Sequence, residues 1–167
     1  MGVFQSPVSN HRSQIGSRRE RRGMVAASSE SPRSDRPLRV LIAEDDPDMR
    51  ELIRALVEDL GLECVAVPDG QAALDEVTAR PPDLILSDLG MPRVGGIELC
   101  RRVKANPATR SIPVILITGI GEEFKGTGAE VGADAFMGKP FTLSDLRARI
   151  YALLGPQVLR SSDAGKA

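Results

Sequence analysis

The chain has 167 residues, 41% of them hydrophobic and 27% charged, which suits one domain of ordinary size and is short for two. No apolar run approaches the roughly 18 residues of a transmembrane helix, so no membrane-spanning helix and no membrane partner are expected, and the expected location is cytoplasmic. A net charge of −1 conceals two unlike parts: residues 1–37 carry seven Arg against three acids, a balance of +4, and the remaining 15 basic and 20 acidic residues give −5.

The stretch 1–37 is rich in Ser, Arg, Gly and Pro and has neither helical nor strand periodicity, which predicts a disordered basic leader. It has no apolar signal region, so secretion is not expected. "SRRERR" (17–22) lacks the interleaved aromatics of a nucleic-acid patch and is read as a solvated tail. Met24 is an alternative start, which the intact mass of the native protein would distinguish.

From Leu38 the pattern turns strict. Short β-rich runs, "LRVLIA" (38–43), "LECVAV" (62–67), "DLILS" (83–87), "PVILIT" (113–118) and "DAFMG" (134–138), alternate with amphipathic segments. Over 47–60, Met49, Leu52, Ile53, Leu56, Val57 and Leu60 fall on one helical face, and Asp46 before Pro47 makes a cap and first-turn pair. The last helix, 142–154, opens with Thr142, lines up Leu143, Leu146, Ile150, Leu153 and Leu154, and stops at Gly155-Pro156. Cys64 and Cys100 sit in such apolar segments without metal-type spacing and are expected to be buried thiols.

Strands apolar on both faces, alternating with helices, predict an α/β fold: a doubly wound five-stranded parallel sheet, flavodoxin-like (βα)5, with strand order 2-1-3-4-5 over residues 38–155. The twelve residues that follow, 156–167, are too few for an output domain and are expected to form a short flexible tail.

In such sheets the functional crevice lies at the carboxyl ends of the strands. Strand one ends in Glu44, Asp45 and Asp46, strand three in Asp88, strand four in Thr118, and strand five, after Gly138, in Lys139-Pro140. Strand two ends in Val67-Pro68 and is expected to contribute nothing chemical. Three carboxylates in one cleft repel one another, by roughly 4 kcal/mol for each pair at about 4 Å in a dielectric near 20. A divalent cation relieves this, and oxygen-only ligands suit Mg2+. Asp88 would then be a carboxylate nucleophile toward phosphorus, with Lys139 pairing the incoming oxygens.

Taken together, "VLIAEDDPDMRELI", "DLILSDLGMPRVGGIEL", "VILITG" and "GADAFMGKPF" resemble the receiver domain of bacterial two-component response regulators, of the stand-alone chemotaxis-regulator kind. The resemblance covers 38–155 and implies roles residue by residue. Glu44 and Asp45 match the acid pair that holds Mg2+, with Asp46 as helix cap. Asp88 matches the phosphoacceptor, and Gly90 the residue whose backbone carbonyl completes the metal shell. Thr118 matches the switch hydroxyl and Lys139 the essential lysine, with a cis bond to Pro140 expected. Phe136 matches the aromatic switch residue, with a hydroxyl fewer than the Tyr many relatives carry. The implied partners are a histidine kinase or a histidine phosphotransfer protein, plus an unidentified downstream protein whose contact surface is strand five and its flanking helices. Nucleic acid is not an expected partner.

Two further positions depart from the family's habit. The residues two beyond the phosphoacceptor and two beyond the switch hydroxyl, which in the family tune attack of water on the phosphoryl group, are here Gly90 and Ile120, and neither can orient a water. A long-lived phosphorylated state is therefore expected. The fourth-helix segment carries Gly119, Gly121, Gly126 and Gly128, each costing about 1 kcal/mol relative to Ala within a helix, which predicts a short or frayed helix.

Other readings remain at this point. Asp88 could be a strand-end cap, Lys139 a surface lysine and Phe136 a core residue. "RRVKANPATR" (101–110) reads as a solvated helix end. A phosphatase with an aspartate nucleophile usually needs a second acid two residues on, where Gly90 stands, and flavin binding fits poorly with four Phe, one Tyr and no Trp. A phosphorelay shuttle and a degenerate receiver that only binds a partner are the alternatives to a regulator.

Overall fold

The computed structural model describes residues 36–119, 129–156 and 158. The leader up to residue 35, the glycine-rich segment 120–128 with Ile120, and the tail beyond 158 lie outside the described residues, and so do the expectations for them. Five strands, β1 (Arg39–Ala43), β2 (Glu63–Val67), β3 (Leu84–Asp88), β4 (Val114–Thr118) and β5 (Ala135–Gly138), form one parallel sheet in the order β2-β1-β3-β4-β5. Among the described residues four helices connect and flank them: α1 (Pro47–Asp59), α2 (Gly70–Ala79), α3 (Gly96–Ala105) and α4 (Leu143–Leu154).

The inner strands β1, β3 and β4 are buried along their whole length, as their apolar runs require. Alternation along each strand sorts side chains into two cores. Val40, Ile42, Leu84, Leu86, Ile115 and Ile117 face α1 and α4, where they meet Ile53, Val57, Leu146 and Ile150. Leu41, Ile85, Val114 and Leu116 face the other way, with Ala73 and Val77 of α2 and Leu99 and Val103 of α3. Burying both faces is the main stabilising contribution, about 25 cal/mol for each Å2 of apolar surface removed from water.

Helix ends follow the expected chemistry. Asp46 Oδ1 accepts from the Asp48 and Met49 amides at 2.9 and 2.8 Å. Thr142 and Asp145 cap α4 reciprocally, Thr142 Oγ1 accepting from the Asp145 amide at 3.1 Å and Asp145 Oδ2 from the Thr142 amide at 3.2 Å. Gly155 ends α4 at φ 73°, in the left-handed region that favours glycine.

Three apolar positions depart from the expected faces. Leu52 is 46% and Leu143 40% exposed. Leu52 lies about 100° around the helix from the buried Ile53, off the edge of the stripe, and Leu143 is the first residue of α4, before that helix reaches the sheet. Cys100 is buried but Cys64, on the edge strand β2, is only half-buried. Burial still pushes the thiols up, to about 12 for Cys64 and about 11 for Cys100, so both resist ionisation near neutrality.

At the amino-terminal end of the sheet, buried Arg39 donates to Glu76 Oε2 at 2.7 Å and to the Arg80 carbonyl, with Glu63 at 3.4 Å. Asp83 accepts from the Arg39 amide at 2.7 Å and from both Arg36 Nη atoms at 3.0 Å. This network ties β1, β2 and β3 together away from the carboxyl edge.

Where α2 begins, backbone approaches backbone. A Cβ on Gly70 would lie 2.3 Å from the Val94 carbonyl oxygen, which accepts the Gly70 amide at 3.1 Å. Gly70→Ala should therefore destabilise the fold by about 1–3 kcal/mol in urea unfolding, and unchanged stability would show that this loop contact yields.

Candidate functional site

The strand register places the polar residues at the carboxyl edge. Ala43 pairs with Ser87, so Glu44 and Asp88, each one residue further, stand level at the ends of β1 and β3. Asp88 pairs with Ile117, which puts Thr118 one step beyond, and Thr118 pairs with Gly138, which brings Lys139 to the same rim. The β1/β3 boundary is where the winding of the sheet reverses and loops diverge to leave a crevice.

Side-chain geometry closes the group. Lys139 Nζ lies 2.7 Å from Asp88 Oδ1 and 3.0 Å from Glu44 Oε2, bridging the two strands. Glu44 and Asp88 are 1% and 7% exposed, whereas Asp45 is exposed. One carboxylate oxygen from each of Glu44, Asp45 and Asp88 lies within 4.8 Å of the others. Burial pushes the Glu44 carboxyl above its ordinary 4.5; the Lys139 hydrogen bond opposes this and the Asp88 charge adds to it. For Lys139, burial disfavours the ammonium, but hydrogen bonds to Asp88 and Glu44 outweigh it and hold the pKa above 10.5.

The loops around these groups are held by backbone. Gly90 donates its amide to Asp88 Oδ2 at 2.7 Å, and Leu89 donates to the Ile117 carbonyl at 2.9 Å. The Lys139 amide donates to the Thr118 carbonyl at 2.6 Å, and Thr118 is 4% exposed. The Lys139-Pro140 bond is cis. Gly96 packs against the Asp88 carbonyl oxygen, 2.3 Å from where a Cβ would sit, so the turn into α3 excludes any side chain there. Phe136, opposite Leu116 on β5, is half-buried against the α2/α3 core.

Glu44, Asp45, Asp88, Thr118, Lys139 and the Gly90 backbone thus share one rim, and Phe136 lies on the adjacent edge strand. Sequence reasoning missed Asp69, two residues beyond the end of β2. It is 2% exposed, accepts from the Gln71 and Ala72 amides at 2.9 and 3.0 Å, and pairs with Arg93, which sits at φ 64° in the loop after β3. The cap was legible in "PDGQAAL"; the pairing with Arg93 was not. The donors of the acid cluster, all oxygen and close enough to share one ion, fit a hard divalent cation.

Such a rim on such a sheet defines a flavodoxin-like α/β domain with an acidic, cation-type cleft at its switch point. The chain belongs to the response regulator receiver domain family, whose model matches residues 40–151. It is a signalling domain of two-component systems.

Among curated relatives, it is 43% identical over 116 residues to the phosphate regulon transcriptional regulatory protein PhoB of Pseudomonas aeruginosa, a match covering 69% of this chain and 51% of that one. The chain therefore spans about half the length of this relative. Among solved structures, a putative response regulator from Chloroflexus aurantiacus superimposes with a TM-score of 0.68 at 29% identity, covering 71% of this chain and 98% of that one. The receiver domain of a sensor histidine kinase from P. aeruginosa, a crystal structure with a magnesium ion coordinated in the active-site cleft, superimposes with a TM-score of 0.67 at 25% identity, covering 72% and 99%. Among the described residues no helix is long and apolar enough to cross a membrane.

Proposed function

We propose that this receiver, over residues 38–155, accepts a phosphoryl group on Asp88 from a phosphohistidine of a histidine kinase or histidine phosphotransfer protein, and then presents a changed surface on β5 and its flanking helices to a cytoplasmic partner protein. The observation that carries the reading is the shared lysine: two buried carboxylates from adjacent strands meet one ammonium at 2.7 and 3.0 Å at the switch point of the sheet. A purely structural Asp88 would need no such convergence.

In the step itself an Asp88 carboxylate oxygen attacks phosphorus, the P–N bond breaks, and its electron pair leaves with the donor imidazole, which takes up a proton. Glu44, Asp45, Asp88 and the Gly90 carbonyl would hold Mg2+, which when bound supplies positive charge and a coordination position for a phosphoryl oxygen. Lys139 then turns from the carboxylates toward the new phosphoryl oxygens, and the Thr118 hydroxyl donates to another. Phe136, half-buried beside β4, follows Thr118 and changes the packing of the β5 edge. The relatives named as transcriptional regulators extend well beyond the matched stretch, so their action on DNA is not assigned to this domain, and the residues from 38 onward carry a net charge of −5.

Incubation with acetyl phosphate and Mg2+ should give one phosphoryl adduct by intact mass, and chelator should suppress it; no adduct from either acetyl phosphate or a panel of phosphorylated kinases would sink the reading. Once formed, the adduct should decay slowly, because Gly90 offers water no side-chain partner. A side chain fits there, since a Cβ would meet only Asp88 Oδ2, at 3.6 Å. Gly90→Asn should accordingly speed the decay severalfold, and fast loss of phosphate from the wild type would refute the slow-hydrolysis account.

A further inference from the structure

The acid pair sits on a turn that belongs to neither neighbouring element. β1 stops at Ala43 and α1 starts at Pro47, with Asp46 as its cap. The carbonyl of Asp46 already accepts the Arg50 amide at 2.9 Å, but those of Glu44 and Asp45 precede the helical ladder and lie past the end of the strand. Among the described residues one side chain takes both: Arg50 Nη1 donates to the Glu44 carbonyl at 2.7 Å and reaches the Asp45 carbonyl at 3.3 Å. Arg50 is half-buried near the start of α1, and its guanidinium bridges two successive peptides whose carboxylates group with that of Asp88.

We infer that Arg50 is a positioning residue for the cation site, fixing the peptides that carry Glu44 and Asp45 so that their carboxylates are placed before the ion arrives. This rests on the reading of the acid cluster as an Mg2+ site. Glu44 has other restraints: its amide donates to the Val67 carbonyl at 3.1 Å, and its side chain meets Lys139. The Asp45 carboxylate is exposed, and its aim depends on its backbone. Without Arg50 that peptide gains freedom which ion binding must then remove, at a cost like that of one hydrogen bond from a charged donor.

Calorimetric titration with MgCl2 of the wild type, Arg50→Met and Arg50→Gln tests this, alongside thermal melting of each in chelator. Met keeps the packed stem without donors, and Gln keeps a donor without charge. Affinity for Mg2+ should fall about tenfold in Arg50→Met and largely recover in Arg50→Gln, with metal-free melting little changed. Wild-type affinity in Arg50→Met, or a fall in melting temperature without a fall in affinity, overturns the inference and leaves a structural arginine. A gain in affinity in Arg50→Met overturns it too, since the guanidinium would then act on the ion through charge repulsion rather than through positioning. A wild type that binds no Mg2+ removes the functional reading along with it.

Discussion

Asp88→Asn should abolish the phosphoryl adduct and leave the domain folded. The amide is nearly isosteric with the carboxylate, and its oxygen can still accept the Gly90 amide that Asp88 Oδ2 accepts at 2.7 Å. What disappears is the nucleophile, since an amide oxygen does not displace imidazole from phosphorus at a useful rate. The ion pair with Lys139 at 2.7 Å is lost as well, but Glu44 at 3.0 Å keeps the ammonium partnered. Removing one of two buried carboxylates also lessens their repulsion, so the melting temperature in chelator should stay close to that of the wild type. An adduct retained on Asp88→Asn would move the acceptor elsewhere, and an unfolded variant would show that Asp88 is first a structural residue.

The fold was legible because its signals are local. β1, β3 and β4 are continuous apolar runs between turn residues, and each begins within one residue of its expected position. The rim was legible because a parallel sheet brings every strand's carboxyl end to one edge, so Glu44, Asp88, Thr118 and Lys139 needed only the strand order to converge. Ion pairing across elements and loops was not legible. Asp69 with Arg93, and Arg39 with Glu63 and Glu76, join residues far apart in sequence whose spacing carries no period. For the same reason nothing in the sequence singled out Arg50 on α1, although its guanidinium turns back to the carbonyls of the preceding turn. Helix periodicity tells which face is apolar but blurs the edge of that face, which is why Leu52 was placed inside.

The second large effect is expected at Lys139, where stability and metal affinity should move in opposite directions. Lys139→Met removes the ammonium shared by Glu44 and Asp88 and leaves two buried carboxylates facing each other. Breaking a fully buried pair costs about 3–5 kcal/mol; with the Lys139 side chain 25% exposed, solvent screening reduces the expected loss to about 1–3 kcal/mol. The pH dependence of metal-free protein fixes the sign. Because the folded pKa of Glu44 is already raised above 4.5, its contribution to stability is fully present below that value and is lost as pH rises through the folded pKa. Lys139 opposes that rise, so its removal raises the Glu44 pKa further and steepens the fall in stability between acid and neutral pH. The wild type should lose the Lys139 contribution only as pH rises through the raised pKa above 10.5. Mg2+ should act the other way: with no ammonium competing for Glu44 and Asp88, the variant should bind the ion more tightly. At 100 times the dissociation constant, binding stabilises the folded state by about 2.7 kcal/mol, enough to offset much of the loss. Melting curves with chelator and with excess Mg2+, at acid and neutral pH, measure both effects. A variant as stable as the wild type in chelator at neutral pH would mean that the two carboxylates do not depend on the ammonium they share, and the convergence on which the functional reading stands would lose its force.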